Sequence, residues 1–430
     1  MAKSLIFFIF VRICLVLSFG IVKVSKMALQ SKKRKLRILL CPDKFKGGLN
    51  SLEVASAIRE GLEKRLSSSA CFETLEMADG GDGSADLFGK VLGAEKVACR
   101  VFGPLGDEIP SYYMLCRQGV EHPVAFVECA KACGLALVPP PKRNPLVTTT
   151  FGVGQLIRHA LDEGARTIYI GVGGTSSNDL GLGMLQALGF STGLPEGVRA
   201  CGGNIRQAGK VEDPSDKDIF EKIKSSRFII INDVDNPLCG PDGAAQMYSP
   251  QKGASRETAL RLDEDAREFL SRCGRTSFSR ADASASSMFP GAGTAGGMGF
   301  GLMHFLGAES IGGFRFFGDV LQNISSKIAE ADIIITGEGS IDSQSLQGKV
   351  VGGLCSRLLK CPGFENKQLW LFCGRSLLNG GELFPQGGGP AVKVFQLADI
   401  EPDIKVRMMR EYDLLASLAE NAARELGATL

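Results

Sequence analysis

Short apolar runs alternate with glycine- and carboxylate-rich loops along most of this 430-residue chain. Leu36-Arg-Ile-Leu-Leu-Cys41 is such a run, and it ends in Pro42-Asp-Lys-Phe-Lys-Gly-Gly48. A helix is predicted next, because Asn50 stands three residues before Glu53 as an N-cap pair and Val54, Ile58 and Leu62 repeat at helical spacing. Residues 71–77 read as a second strand, delivering the loop Ala78-Asp-Gly-Gly-Asp-Gly-Ser84. The C-terminal third repeats this order: 331–336, 368–373 and 391–395 read as strands, 344–359 and about 404–426 as helices. Strand, loop, helix, strand is the rhythm of a parallel, doubly wound α/β sheet, in which ligands bind beyond the carboxyl ends of the strands.

The middle of the chain differs. Val101-Phe102, 112–116 and 124–127 are β-like, Pro139-Pro-Pro141 is a stiff connection, and the small residues 281–287 read as a linker. The pattern predicts an α/β domain at 99–289 inserted into a discontinuous α/β domain at 36–98 and 290–430, after a lead at 1–35. The cleft between two domains is the natural place for a ligand.

Composition narrows the function. A chain with 44% hydrophobic and 22% charged residues is an ordinary globular protein, and 49 basic against 47 acidic residues leave a net charge of +2. That balance predicts neither nucleic acid nor an acidic membrane surface as partner. Thirteen cysteines without CxxC spacing read as buried free thiols, and three histidines, none spaced with cysteine, argue against zinc. No residue pattern signals an oligomeric state. The N-terminus permits two readings. Residues 5–22 are apolar apart from Arg12 and Ser18, and Lys32-Lys-Arg-Lys35 follows, as in a signal peptide, membrane anchor or organellar presequence. Translation from Met27 would instead remove the apolar stretch, and any membrane contact with it, and leave a cytoplasmic protein.

Three loops share one chemical type: 78–84, Gly171-Val-Gly-Gly-Thr-Ser-Ser-Asn-Asp179, and Thr336-Gly-Glu-Gly-Ser-Ile-Asp342. Glycines followed by hydroxyls, amides and carboxylates at strand ends suit anions, and three such loops suggest one composite site. Gly291-Ala-Gly-Thr-Ala-Gly296 satisfies GxGxxG and raises a nicotinamide-dependent oxidoreductase as an alternative. No apolar strand delivers those glycines, so the dinucleotide context fails.

Seven segments in order resemble the successive motifs of the class I glycerate kinases: Pro42-Asp-Lys-Phe-Lys-Gly47, Met77-Ala-Asp-Gly-Gly-Asp-Gly83, Gly173-Gly-Thr-Ser-Ser-Asn-Asp179, Asp233-Val-Asp-Asn-Pro-Leu238, Pro250-Gln-Lys-Gly-Ala254, 290–297 and 336–349. The resemblance runs from about Arg37 to the C-terminus. It implies a two-domain enzyme with a flavodoxin-like parallel sheet that phosphorylates glycerate with ATP and Mg²⁺, most often at the 2-hydroxyl, with 3-kinase regiochemistry as the alternative. A non-catalytic sensor on the same fold is disfavoured because the lysine and carboxylate positions are filled. The chain departs from the family at Asp82, where glutamate is usual, at Gly48, where serine is common, and at Leu180, where a small or acidic residue is frequent.

Phosphoryl transfer needs charge neutralisation, in-line positioning and a carboxylate near the attacking hydroxyl. Lys46 is the candidate cation at the end of the first strand. Asp79 is the candidate for catalysis and, with Asp82, for holding Mg²⁺; helix capping is their structural alternative. Asp179 is expected to orient or deprotonate the acceptor hydroxyl, with Ser177, Asn178, Asp82, Asp235 and Asn236 as substrate contacts. Glu338, Asp342, Gln347 and Lys349, with Gly291 and Gly293, are the candidate nucleotide contacts, Glu338 also for Mg²⁺. Lys349 follows a glycine, yet no Walker A motif precedes it.

Overall fold

Two sheets take up the eleven strands of the computed structural model, which describes residues 34–45, 47–346, 349–384 and 388–427. In chain order these are β1 (Leu36–Leu40), β2 (Ala70–Thr74), β3 (Glu95–Phe102), β4 (Glu108–Cys116), β5 (Val124–Glu128), β6 (Thr167–Gly171), β7 (Arg227–Ile231), β8 (Glu309–Ile311), β9 (Ile333–Ile341), β10 (Gln368–Ser376) and β11 (Ala391–Gln396). The first sheet is wholly parallel, in the order β11-β10-β9-β1-β2. Renumbered within the sheet this is the flavodoxin-like order, so its switch point lies between β1 and β9. The second sheet runs β3-β4-β5-β6-β7-β8, antiparallel through β5 and parallel from β5 onward.

β1 shows why the first sheet needs cover on both faces. Ile38 and Leu40 pack on one side, with helices Ser51–Leu66 and Glu411–Gly427, while Leu39 and Cys41 pack on the other, with Ile324–Glu330 and Val350–Leu359. An apolar run without alternation is what a parallel strand buried on both faces requires. The expected Asn50 cap is in place: its side chain accepts from Glu53 N at 2.9 Å and Glu53 accepts from Asn50 N at 2.8 Å. One face of the second sheet is covered by Ser84–Leu92 and Phe314–Leu321, where Phe88, Phe126, Phe316 and Phe317 form an aromatic cluster. These covering segments flank β3–β8 in sequence, so the same stretches that lead into and out of the second sheet also clamp it.

Several expected boundaries move. The helix expected over 344–359 starts at Val350, after a short 3₁₀ turn at Ser343–Leu346. The C-terminal helix breaks at Arg410 into Ile404–Met409 and Glu411–Gly427. The small-residue stretch near 281–287 folds as helix Ala283–Ser287, because the Asp282 side chain accepts from Ala285 N at 2.8 Å. Residues 290–311 join the second sheet rather than the first, since β8 pairs with β7 and Met298, Phe300, Leu302 and Phe305 enter the core beneath it. The apolar stretch 5–22 lies outside the described residues. Among the described residues no helix is long and apolar enough to cross a membrane, and the twelve cysteines are free thiols.

Candidate active site

The carboxyl ends of the two sheets meet through loop 78–83, which leaves β2 and lies across the ends of β6 and β7. Gly173 N donates to Gly80 O at 3.1 Å. A Cβ on Gly173 would stand 2.5 Å from Gly81 Cα, so only glycine permits this approach. Helix Ser84–Leu92 follows, and its N-terminus is capped by buried Glu128, which accepts from Ala85 N at 3.0 Å. Asp79 and Asp82 are therefore released from capping that helix.

Where the loops meet there is a cavity of about 310 Å³, lined among others by Asp79, Gly173, Thr175, Asp233, Lys252 and Thr294. Burial would raise Asp79, but the Lys44 ammonium at 2.8 Å and Gly81 N at 2.9 Å hold its carboxyl below the usual range. Asp233 behaves oppositely. Burial, reinforced by the charges of Asp79 and Asp43, pushes it up to about 7, although Gly313 N donates to it at 2.6 Å. Asp43 is likewise raised to about 6 by burial and by Asp79. Lys252 is 2% exposed; its Nζ donates to Ser177 O at 2.6 Å, and burial pulls it down to about 8. The backbone at the rim is left-handed from Ala295 to Gly297, and regular helix begins only at Met298. Ala295 is strained in that conformation as a non-glycine residue, a pattern concentrated at ligand sites.

A second cavity, of about 550 Å³, opens at the switch point of the first sheet. Lys44, Lys349, Arg375 and Arg407 supply positive charge, and Phe45, Leu397, Ile404 and Met408 supply an apolar wall. Glu338 also lines it; burial raises its carboxyl, and its Oε1 is buried with no hydrogen-bond partner. The Lys44–Asp79 ion pair joins the cavities, because Lys44 lines one and Asp79 the other.

A cation-lined pocket with an apolar wall beside a smaller, carboxylate-bearing one is a layout for two substrates, and comparison with known proteins identifies the lineage. The family model described as the glycerate kinase family matches residues 38–427. The chain belongs to the glycerate kinase family. It is 40% identical to the glycerate kinase of Halalkalibacterium halodurans over 321 residues, 74% of this chain and 80% of that protein. It is 38% identical to the glycerate 2-kinase of Escherichia coli K12 over 329 residues, 75% of this chain and 81% of that one. With the Haemophilus influenzae glycerate kinase it shares 35% identity over 91% of this chain and 99% of the relative. A solved crystal structure from Salmonella typhimurium LT2, described as that of a candidate glycerate kinase 2, superposes with a TM-score of 0.70 at 32% identity, covering 92% of this chain and 99% of that one.

The family's motif loops thus converge, but not every residue picked from them faces a cavity. Asp79 lines the smaller cavity, and Glu338 and Lys349 line the larger. Asp179 does not line either. It is fully buried, and its carboxylate accepts from Thr150 N and Thr150 Oγ1, both at 2.8 Å, from Gly181 N at 3.2 Å and from Gly183 N at 3.3 Å. These donors, all from its own fold, staple its loop to Thr150 and account for its burial outside both cavities. Ser177 and Asn178 are buried and line neither cavity, and Ser177 contributes its carbonyl to Lys252. Asp82 is exposed beside Gly174, at the rim. Asp235 is exposed, while Asn236 is tied to Tyr248 Oη at 2.6 Å and to Asp242 O at 2.8 Å; Asp233, two residues earlier, is the group in the cavity.

Gly291 and Gly293 pack against Asn232 and Pro237, where a Cβ would meet atoms at 2.4 and 2.2 Å; neither lines the cationic cavity, while their neighbours Asn232 and Thr294 line the smaller one. Asp342 caps the turn at Ser343–Leu346 through Ser345. Lys46 and Gln347 lie outside the described residues. Sequence reasoning passed over Asp43, Lys44, Asp233, Lys252, Arg375 and Arg407. The first four stand inside the motif segments, so the signal was present; Arg375 lies at the carboxyl end of β10 and Arg407 in helix Ile404–Met409, with no motif around either.

Proposed function

We propose that this chain transfers the γ-phosphoryl group of ATP to a hydroxyl of glycerate, giving 2-phosphoglycerate. The observation that carries the reading is the pair of cavities joined at Lys44–Asp79: a cationic one with an apolar wall for the nucleotide, and a small one with a near-neutral carboxylate for the acceptor. The named activity of the relatives supports the substrate pair, and the name of the Escherichia coli relative supports the 2-position. The nucleotide then sits on the first sheet and glycerate between the two.

Lys44, Lys349, Arg375 and Arg407 neutralise phosphate oxygens, which is most of what a phosphoryl transfer asks of a protein. Asp233, held up to about 7, is suited to accept the hydroxyl proton near neutral pH. As the O–H bond breaks, the proton passes to Asp233, the substrate oxygen bonds to the γ-phosphorus, and the bond from that phosphorus to the β,γ-bridging oxygen breaks, leaving ADP. Mg²⁺ binds such sites through one or two carboxylates and the phosphates themselves. No three His, Cys, Asp or Glu side chains among the described residues form a protein cage, but the unpartnered Glu338 Oε1 and nearby Asp43 fit that partial role, where the ion would supply charge neutralisation. Phosphorus NMR of the product formed from D-glycerate and ATP tests the reaction. A 2-phosphoglycerate resonance is expected; 3-phosphoglycerate would overturn the regiochemistry, and unchanged ATP would overturn the activity.

A further inference from the structure

We propose that Lys252 anchors the substrate's carboxylate, so that the acceptor cavity selects a small hydroxy acid over an uncharged polyol or amide of the same shape. The inference rests on the phosphoryl-transfer reading above and assigns the acid end of the acceptor.

Lys252 closes the turn Pro250–Lys252, and Gly253 after it has φ +96°, where a Cβ would lie 2.1 Å from Arg143 O. The chain is pressed onto Arg143 at that point, so the lysine stem is fixed. Its ammonium carries three donors. Ser177 O takes one at 2.6 Å and Thr175 Oγ1 lies at 3.5 Å, and both are neutral. No carboxylate of the described residues stands within ion-pair distance. Asp179 is felt electrostatically, but its oxygens are already taken by Thr150, Gly181 and Gly183. A buried cation without a counter-charge is unfavourable, and an anionic ligand in the cavity would offset that.

The cavity also carries a charge gradient. Asp79 and Asp233 line the same cavity without being among the groups whose charge Lys252 feels, and they repel a carboxylate, while Asp233 is the group suited to a hydroxyl. Glycerate fits this polarity in one sense, carboxylate toward Lys252 and hydroxyls toward Asp233. Thr175 then helps to hold the acid end.

The test compares D-glycerate with glyceramide, its neutral amide, as acceptors for the full chain with ATP and Mg²⁺. Wild type is expected to prefer glycerate in kcat/KM by at least about a hundredfold, the scale on which sites with a dedicated polar partner reject its absence. Lys252→Met, which keeps the stem, is expected to raise the glycerate KM by about a hundredfold and bring the preference to within about threefold. Retention of the wild-type preference by Lys252→Met overturns the inference, whereas failure of wild type to phosphorylate glycerate overturns the kinase reading instead.

Should the methionine variant not fold, wild type decides by pH. Lys252 is faced by Cys133 and Asp179, and Asp79 and Asp233 line the same cavity. Above about pH 8, where burial places its titration, the glycerate-to-glyceramide preference is expected to fall by about tenfold per pH unit. A preference constant from pH 7 to 10 overturns the assignment.

Discussion

Replacing Gly173 by alanine tests whether the close approach of the two sheets is what builds the acceptor cavity. The added Cβ would lie 2.5 Å from Gly81 Cα and 3.0 Å from Gly81 N, both backbone atoms that cannot rotate away. Restoring ordinary contact moves loop 78–83 by roughly 1 Å from the ends of β6 and β7, and Asp79 with its Lys44 partner moves with it. A displacement of about 1 Å at a reacting centre costs on the order of a hundredfold in rate. Overpacking itself costs about 1–3 kcal/mol. The assay is ADP release coupled to NADH oxidation, with urea denaturation alongside. Gly209→Ala is the control, because its Cβ would meet nothing nearer than Gly193 Cα at 3.6 Å. The reasoning is refuted by a Gly173→Ala enzyme that keeps kcat within threefold of wild type.

Asp233→Asn keeps an oxygen for Gly313 N but cannot accept a proton, so kcat should fall by about a hundredfold or more with little change in melting temperature. In wild type, kcat/KM for glycerate should rise with pH through about 7 as Asp233, facing Asp79, Asp43 and Lys349, loses its proton; a flat profile from pH 6 to 7.5 would remove it as the base. Asp179→Asn should act on stability instead, since an amide would turn N–H groups toward the donors of Thr150, Gly181 and Gly183, at a cost of about 2–3 kcal/mol by urea denaturation. Its folded fraction should turn over within about fivefold of wild type, and a hundredfold loss would restore Asp179 to the mechanism. Met408→Glu places a charge on the apolar wall of the larger cavity and should raise the KM for ATP by about tenfold while leaving that for glycerate within twofold. Equal effects on both substrates would move the nucleotide elsewhere.

The fold was readable where local physics decides it. β1 is buried on both faces and therefore reads as an uninterrupted apolar run, and the Asn50–Glu53 cap is complete within four residues. The helix limits near 344 and 410 were missed, because apolar spacing continues across a turn that the Asp342–Ser345 cap and Arg410 interrupt. Loops 78–84 and 171–179 were readable as loops, since glycines and carboxylates at a strand end disfavour both the β-ladder and the core, but the expected loop 336–342 instead continues β9 to Ile341, because β10 pairs with it as far as Ser376.

Which side chain of each loop faces a cavity depends on contacts far away in sequence, and there composition misleads. Asp179 and Asp79 are chemically alike, yet Thr150, 29 residues before Asp179, occupies one of them, while Glu128, 43 residues from Ala85, takes over the cap that would have occupied the other. Asp233 and Asp235 are separated by one valine with no periodicity to rank them. Lys252 is the extreme case. A lysine between glutamine and glycine in a proline turn reads as solvated, because most lysines are. Its burial is set by Arg143 O pressing on Gly253 and by Ser177 O, 75 residues away, receiving its ammonium. A charged group held by long-range neutral partners leaves no local signature, and that condition also makes it available to a ligand: a lysine whose counter-ion could be read nearby in sequence would already have been neutralised by the fold.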